Sequence, residues 1–158
     1  MLRFAMTKPP HDSLVIFSLD DQQFALNVSA VERVVRAVEI TPLPGAPAGV
    51  CGVIDLHGAV IPVFDLRAHC GQPSREVRPE DHLVIVRTAR RKVALLADAA
   101  LGVVGASCQE IVPAAEILPG LDTIEGVMKL NGGVVLIHDL DRFLRIAEDD
   151  ALASALHP

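Results

Sequence analysis

One internal repeat fills most of the chain. Leu14–Val28 aligns on Leu83–Ala97 without a gap. Leu14, Val15 and Ile16 fall on Leu83, Val84 and Ile85, and Phe24, Ala25 and Leu26 fall on Val93, Ala94 and Leu95. Val34-Val35 stays in frame with Val103-Val104. With small insertions the match continues. Ile40-Thr41-Pro42 meets Ile111-Val112-Pro113, Gly52-Val53 meets Gly126-Val127, Leu56-His57-Gly58 meets Leu130-Asn131-Gly132, and Asp65-Leu66 meets Asp139-Leu140. Two Val/Ile-rich runs resembling each other by chance would not share Gly, Pro and Asp-Leu punctuation at a nearly constant offset. A repeat of this kind sets the architecture before any motif does. The chain is two copies of one unit, Ser13–Leu66 and His82–Leu140.

Each copy reads as short strands. Leu14–Leu19 and Gln23–Val28 flank the turn signal Asp20-Asp21-Gln22, and Leu83–Arg87 and Val93–Ala97 repeat that hairpin around Thr88–Lys92. A second hairpin joins Val50–Leu56 to Ala59–Phe64 through His57-Gly58, and its counterpart joins Val127–Leu130 to Val134–Ile137 through Asn131-Gly132-Gly133. Pro42–Pro47 and Pro113–Gly120 read as loops. Ser29–Arg36 has room for one or two helical turns with Ser29 as N-cap. The expected product is a mostly β fold of two small five-stranded barrels packed together, because closing a sheet removes its exposed edges. A unit of this size has a marginal core alone and gains by burying a face against its twin. The boundaries that follow are a flexible tail over 1–12, a first barrel unit over 13–81, a second over 82–140, and strand exchange between the two as an open option. After that the period changes. Phe143, Leu144, Ala147, Ala151 and Ala155 recur at helical spacing, so 141–158 reads as a C-terminal helix and tail.

Composition removes several function classes. The 158 residues hold 14 Lys+Arg against 20 Asp+Glu, a formal net charge of −6, with no Trp, no Tyr and only 5 Phe. Nucleic-acid binders present a net basic face, and single-strand and sugar sites favour aromatic platforms, so neither partner is expected. Three cysteines at 51, 70 and 108 make no CxxC pair, which points to a reduced cytosolic compartment. The start has no apolar signal-peptide core, and no apolar run is long enough to span a bilayer, so no membrane insertion is expected.

Catalytic motifs are missing. The chain contains no G-x-S-x-G, no G-x-x-x-x-G-K-[ST] and no H-E-x-x-H, and Gly102-Val-Val-Gly105 falls short of a dinucleotide fingerprint. His69-Cys70 is the one local ligand cluster, without the paired spacing of structural zinc, so no metal and no cofactor are expected. A cryptic Cys/His hydrolase or a small-molecule barrel is the competing class; a hyper-reactive thiol at Cys51, Cys70 or Cys108 would favour the enzyme. The basic run Arg87, Arg90, Arg91, Lys92 reads first as a solvated hairpin tip and second as a contact for an acidic partner. What remains is an apolar chain built for binding other proteins.

The residues Phe17–Arg36, Ile40–Pro44, Ala46-Pro47 and above all Val50–Arg67 follow the order F-x-L…F-A-L-x-V-x-x-V-x-x-V-V-R, I-T-P-L-P, A-P and G-V-I-D-L-H-G-x-V-I-P-V-x-D-L-R. This resembles the CheW family of bacterial chemosensory coupling proteins, from about Ser13 to Leu144. The resemblance implies two SH3-like five-stranded barrels and no enzymatic activity. It implies an adaptor in the cytoplasm, recruited to membrane-bound receptor arrays, that couples methyl-accepting chemoreceptors to a CheA-type histidine kinase. It also implies binding of the kinase's CheW-like regulatory domain through barrel ends, a receptor cytoplasmic tip in the groove between barrels, and self-association in array rings. An adaptor of a non-chemotaxis system, controlling surface motility or a second messenger, or an array component that binds receptors without kinase, is the alternative of the same kind. The partner-binding residues implied by the resemblance are Val31, Glu32, Arg33, Val34, Arg36, Gly52, Asp55, His57 and Gly58.

Two of these depart from the family pattern. Arg33 stands where the family usually has glutamate, and His57 where N-L-R-G has arginine. On charge Arg33 cannot pair with His57, and Asp55 or Glu32 is available to compensate it; the two departures read equally as altered partner choice and as neutral drift at a surface pair.

Overall fold

The computed structural model describes residues 13–37, 39–46, 49–69, 76–106, 110–121 and 123–145. The expected N-terminal tail and the part of the C-terminal helix beyond 145 lie outside the described residues, as do Cys70 and Cys108.

Eleven strands form two sheets among the described residues. In chain order they are β1 (Ser13–Leu19), β2 (Gln22–Asn27), β3 (Val31–Arg36), β4 (Val50–Leu56), β5 (Ala59–Asp65), β6 (His82–Arg87), β7 (Lys92–Ala97), β8 (Ala99–Gly105), β9 (Glu110–Pro113), β10 (Ile124–Leu130) and β11 (Gly133–His138). Short helical turns lie at Leu66–His69 (α1) and Ala114–Ile117 (α2), and a last helix (α3) covers residues 140–145.

Sheet order shows what the repeat does. One sheet runs β8-β1-β2-β11-β10-β9 and the other β3-β6-β7-β5-β4. The β1–β2 hairpin therefore joins strands of the second copy, and the β6–β7 hairpin joins strands of the first. The exchange is reciprocal down to register: β5 lies parallel to β7 with Val63 beside Ala94, and β11 lies parallel to β2 with Ile137 beside Ala25, the repeat-equivalent pair. Sequence copies and sheets are thus out of phase. The chain after β3 crosses to β4, where Thr41 and Val53 exchange backbone hydrogen bonds of 2.8 and 2.9 Å, and this rolls the five-stranded sheet into a barrel. In the other sheet the chain after β8 does the same through β9 against β10.

Three apolar clusters follow from strand alternation. Leu83, Ile85, Ala94 and Leu96 point into the five-stranded barrel beside Ile54, Ile61 and Val63. Leu14, Ile16 and Ala25 point into the six-stranded one beside Met128, Val135 and Ile137. The opposite faces of the same hairpins meet between the barrels, where Phe17, Leu19, Phe24 and Leu26 pack with Val84, Val86, Val93 and Leu95 and with Leu140, Phe143 and Leu144 of α3. Burial on both faces explains why these hairpins read as unbroken apolar runs. One buried charge fastens the joint. Arg67, 2% exposed, donates to Asp20 at 2.8 Å and to Asp98, tying the β1–β2 turn to the β7–β8 turn. At the equivalent place Asp141 accepts a hydrogen bond from Ala89 N at 3.2 Å.

Several sequence expectations change here. Ser29–Arg36 is not helical beyond a 3-10 turn at Val28–Ala30; its N-cap is Asn27, whose side chain accepts from Ser29 N at 3.0 Å, and the rest is β3. The Val spacing that suggested a helix is a strand with one extra residue: pairing steps from Val31↔Val86 to Arg33↔Ile85, leaving Glu32 bulged. The loop over Pro113–Gly120 contains α2. The second Gly-rich turn is the two residues Asn131-Gly132, with Gly133 already in β11.

Candidate partner-binding site

The mouth of the five-stranded barrel gathers the charged candidates. β3 pairs with β6 so that Arg33 stands opposite Ile85, on the interior-facing side of the strand, and its side chain reaches over the opening. Across that opening, β4 and β5 are joined by the two-residue turn His57-Gly58, both with positive φ (53° and 87°). Asp55 locks the turn by accepting from Gly58 N at 2.8 Å. The result is a contact of 3.1 Å between Arg33 Nη1 and His57 Nε2.

This overturns one expectation and qualifies another. Arg33 does meet His57: a guanidinium only donates and an imidazole ring nitrogen is able to accept, so two basic residue types are not barred from this contact. The expected compensation is partial: the Arg33 charge acts on Glu32, with no direct ion pair to Glu32 or Asp55. Asp55 serves its turn, and the bulged Glu32 pairs with Lys92 Nζ at 2.8 Å and more loosely with Arg87 Nε at 3.8 Å. The hydrogen bond from Lys92, with smaller help from the charges of Lys92, Arg87 and Arg33, holds the Glu32 carboxyl below its ordinary range.

The other named residues do different things. Val31 and Val34 pack against the core between the barrels. Arg36 sits exposed at the far end of β3, opposite His82. Gly52 is buried at a bulge with φ 148°, and a Cβ there would collide with the Thr41 carbonyl oxygen, so its role is to let β4 pass the closing strand. Arg87 and Lys92 close the tip of the β6–β7 hairpin, as the sequence suggests, and that tip lies at this barrel mouth. They face each other as the last pair before the Thr88–Arg91 turn, beside β3.

The duplicated fold supplies an internal comparison. The repeat equivalents of Glu32, Arg33, Arg87, Lys92 and His57 are Leu101, Gly102, Ser18, Gln23 and Asn131. Leu101 is the bulged residue of β8, as Glu32 is of β3. Glycine stands here in place of the arginine. A cleft of about 190 Å³ opens there, lined by Ile16, Leu101, Gly102 and Leu130 among others. Leu101 and Val103 are 51% and 62% exposed beside it.

Nothing in the described residues resembles a catalytic centre. Burial pushes the Cys51 thiol up to about 12, with the nearby Asp65 charge adding to it, so this cysteine is a protonated, unreactive thiol at neutral pH. No three His, Cys, Asp or Glu side chains gather as a metal site among the described residues. No described helix is long and apolar enough to cross a membrane.

Two barrels with exchanged hairpins and a charged mouth match a known architecture. The model of the CheW-like domain matches residues 13–148. The chain belongs to the CheW family. The chemotaxis protein CheW of Rhizobium meliloti (strain 1021) is 31% identical over 140 residues, covering 87% of this chain and 90% of that protein. The chemotaxis protein CheW of Bacillus subtilis (strain 168) is 28% identical, over 84% and 86%. The crystal structure of the scaffolding protein TtCheW from Thermoanaerobacter tengcongensis superposes with a TM-score of 0.74 at 28% identity, covering 84% of this chain and 91% of that one. As a CheW-family member the chain is a non-catalytic adaptor of chemosensory signalling, coupling receptors to CheA.

Proposed function

We propose that this CheW-family adaptor binds the CheW-like regulatory domain of a CheA-type kinase through its barrel ends and holds a chemoreceptor's cytoplasmic tip in the groove between the barrels. The work takes place in the cytoplasm, at membrane-bound arrays, where copies of the chain also associate in rings. The observation that carries this reading is the chemical difference between two equivalent barrel mouths: one is bridged by Arg33 and His57 and ringed by charge, the other is an open apolar cleft. A connector between unlike proteins needs unlike faces, since charge selects against wrong partners and apolar cores supply contact area. Glu32, Arg33 and residues 55–58, with Arg87 and Lys92 beside them, form the face that the kinase or the receptor reads, while Val31 and Val34 hold β3 on the core.

Reconstitution tests it. The purified chain is mixed with the kinase regulatory domain and with a receptor-tip fragment from the same cell, and complexes are separated by size. The expected result is a ternary complex. Two partners that displace each other, or only one that binds, would contradict the coupling geometry.

A further inference from the structure

We propose that Arg67 and Asp98 are positioning residues: they pin the orientation of the two barrels, and with it the shape of the groove between them. The pin follows from the fold alone; its effect on a receptor tip rests on the proposed binding in that groove.

The chain passes from one sheet to the other at two places among the described residues, after β2 and after β7. The second crossing is a single residue, Asp98, and it holds both barrels. Its N–H donates to Ser18 O of β1 at 2.9 Å, and its carboxylate accepts from Asp20 N at 2.6 Å, both on the six-stranded barrel. The same carboxylate accepts from Nη2 of Arg67, which follows β5 of the five-stranded barrel. Arg67 closes the triangle by donating to Asp20 at 2.8 Å, and its own backbone N–H is fixed on Asp65 Oδ1 at 2.9 Å.

The first crossing is built differently. Ser29 is the repeat equivalent of Asp98, and its N–H and hydroxyl both donate to Asn27 Oδ1, two residues back, at 3.0 and 2.8 Å. The equivalents of Asp20 and Arg67 are Ala89 and Asp141, joined by one bond from a backbone N–H. Between the crossings lies the apolar cluster of Phe17, Phe24, Val84 and Leu95 with α3. Apolar burial is non-directional and tolerates a change of angle, whereas hydrogen bonds from a planar guanidinium fix one. A buried ionic network in this position specifies geometry more than it adds stability.

Residual dipolar couplings of the weakly aligned full chain read the orientation directly. Both barrels of the parent are expected to fit one alignment tensor. Arg67→Met keeps an apolar stem and removes the guanidinium; each barrel should still fit by itself, with the two tensors differing in magnitude. Asp98→Asn keeps an acceptor for Asp20 N and loses the charge, so it should separate the tensors less, and Ser29→Ala should not separate them. If Arg67→Met does not fold, Asp98→Asn decides. One shared tensor in the folded pin variants, or a separation by Ser29→Ala as large as that by the pin variants, would overturn the proposal. With about a tenth of the orientations still competent, Arg67→Met weakens a receptor-tip fragment about tenfold in calorimetric titration and leaves the kinase regulatory domain, docked on barrel ends, within about twofold. Parent-level binding of the receptor tip by a variant with separated tensors would overturn the groove reading and leave the pin standing.

Discussion

The two barrels are copies in backbone and opposites at their mouths. Bulges, two-residue turns and parallel strand pairs recur at matching positions, yet Arg33 and His57 bridge one opening while Gly102 and Asn131 leave the other as an apolar cleft. Duplication separates what the fold demands from what a particular surface does. A feature present in both barrels, such as the glycine at the bulge of β4 and of β10, serves closure. A feature present in one, such as the charged ring of Glu32, Arg33, Arg87 and Lys92, is free to serve a partner.

The same comparison extends to the joint, where the largest stability effects are expected. Arg67 and Asp141 are repeat equivalents, but the Arg67 side chain is 3% exposed and bonded to two carboxylates, while Asp141 holds one backbone N–H. Arg67→Ala is expected to cost about 2–3 kcal/mol in urea unfolding, because it removes a buried cation and its charge-assisted hydrogen bonds from two carboxylates that are themselves partly exposed. Asp141→Ala should cost less than about 1 kcal/mol. Equal costs would mean the two ends of the joint are fastened alike.

His138 and Phe64 are the next equivalent pair. The His138 ring packs against Phe24 at 5.0 Å and Phe143 at 5.6 Å, and its Nδ1 is buried with no hydrogen-bond partner among the described residues. Burial pushes its pKa down from 6.5 to about 4. As pH falls, the unfolded chain takes up this proton before the folded chain does. The stability supplied by the neutral ring is therefore whole above about pH 6.5 and drains away between 6.5 and 4, by about 3 kcal/mol. His138→Phe, copying Phe64, should remove that part of the acid sensitivity in unfolding curves at pH 7 and pH 4.

A smaller contrast is set by the bulge glycines. Gly52→Ala meets the Thr41 carbonyl at a positive φ, whereas Gly126→Ala meets the Val112 carbonyl at 2.8 Å without that conformational cost. Gly52→Ala should lose about 2–3 kcal/mol and Gly126→Ala measurably less, read as the difference in denaturation midpoints. Smallest of all is Arg33→Ala, expected to change stability by less than about 1 kcal/mol because the contact is exposed. A larger loss would make Arg33 a structural plug.

Much of this was legible in the sequence, for reasons that also explain the remainder. Hairpins buried on both faces announce themselves as unbroken runs such as Leu83–Val86, and Gly-containing turns punctuate them. The repeat revealed two equivalent units, but alignment of equivalent strands is blind to which copy a hairpin pairs with, so the exchange appears only in the sheet order. β3 was obscured by its bulge, which breaks the two-residue period at Glu32. The motif residues 33 and 57 were found. Their contact was not, because it joins β3 to a turn across the barrel opening, and the tie of Arg87 and Lys92 to Glu32 was not, because it spans three strands.

The central claim is that the two mouths engage partners differently. The direct measurement is a titration matrix: Arg33→Glu and Leu101→Asp, each against the kinase regulatory domain and the receptor-tip fragment. The account predicts that Arg33→Glu weakens one partner at least about tenfold, and that Leu101→Asp produces a different pattern of loss. Identical patterns from the two substitutions, or no loss from either, would contradict it.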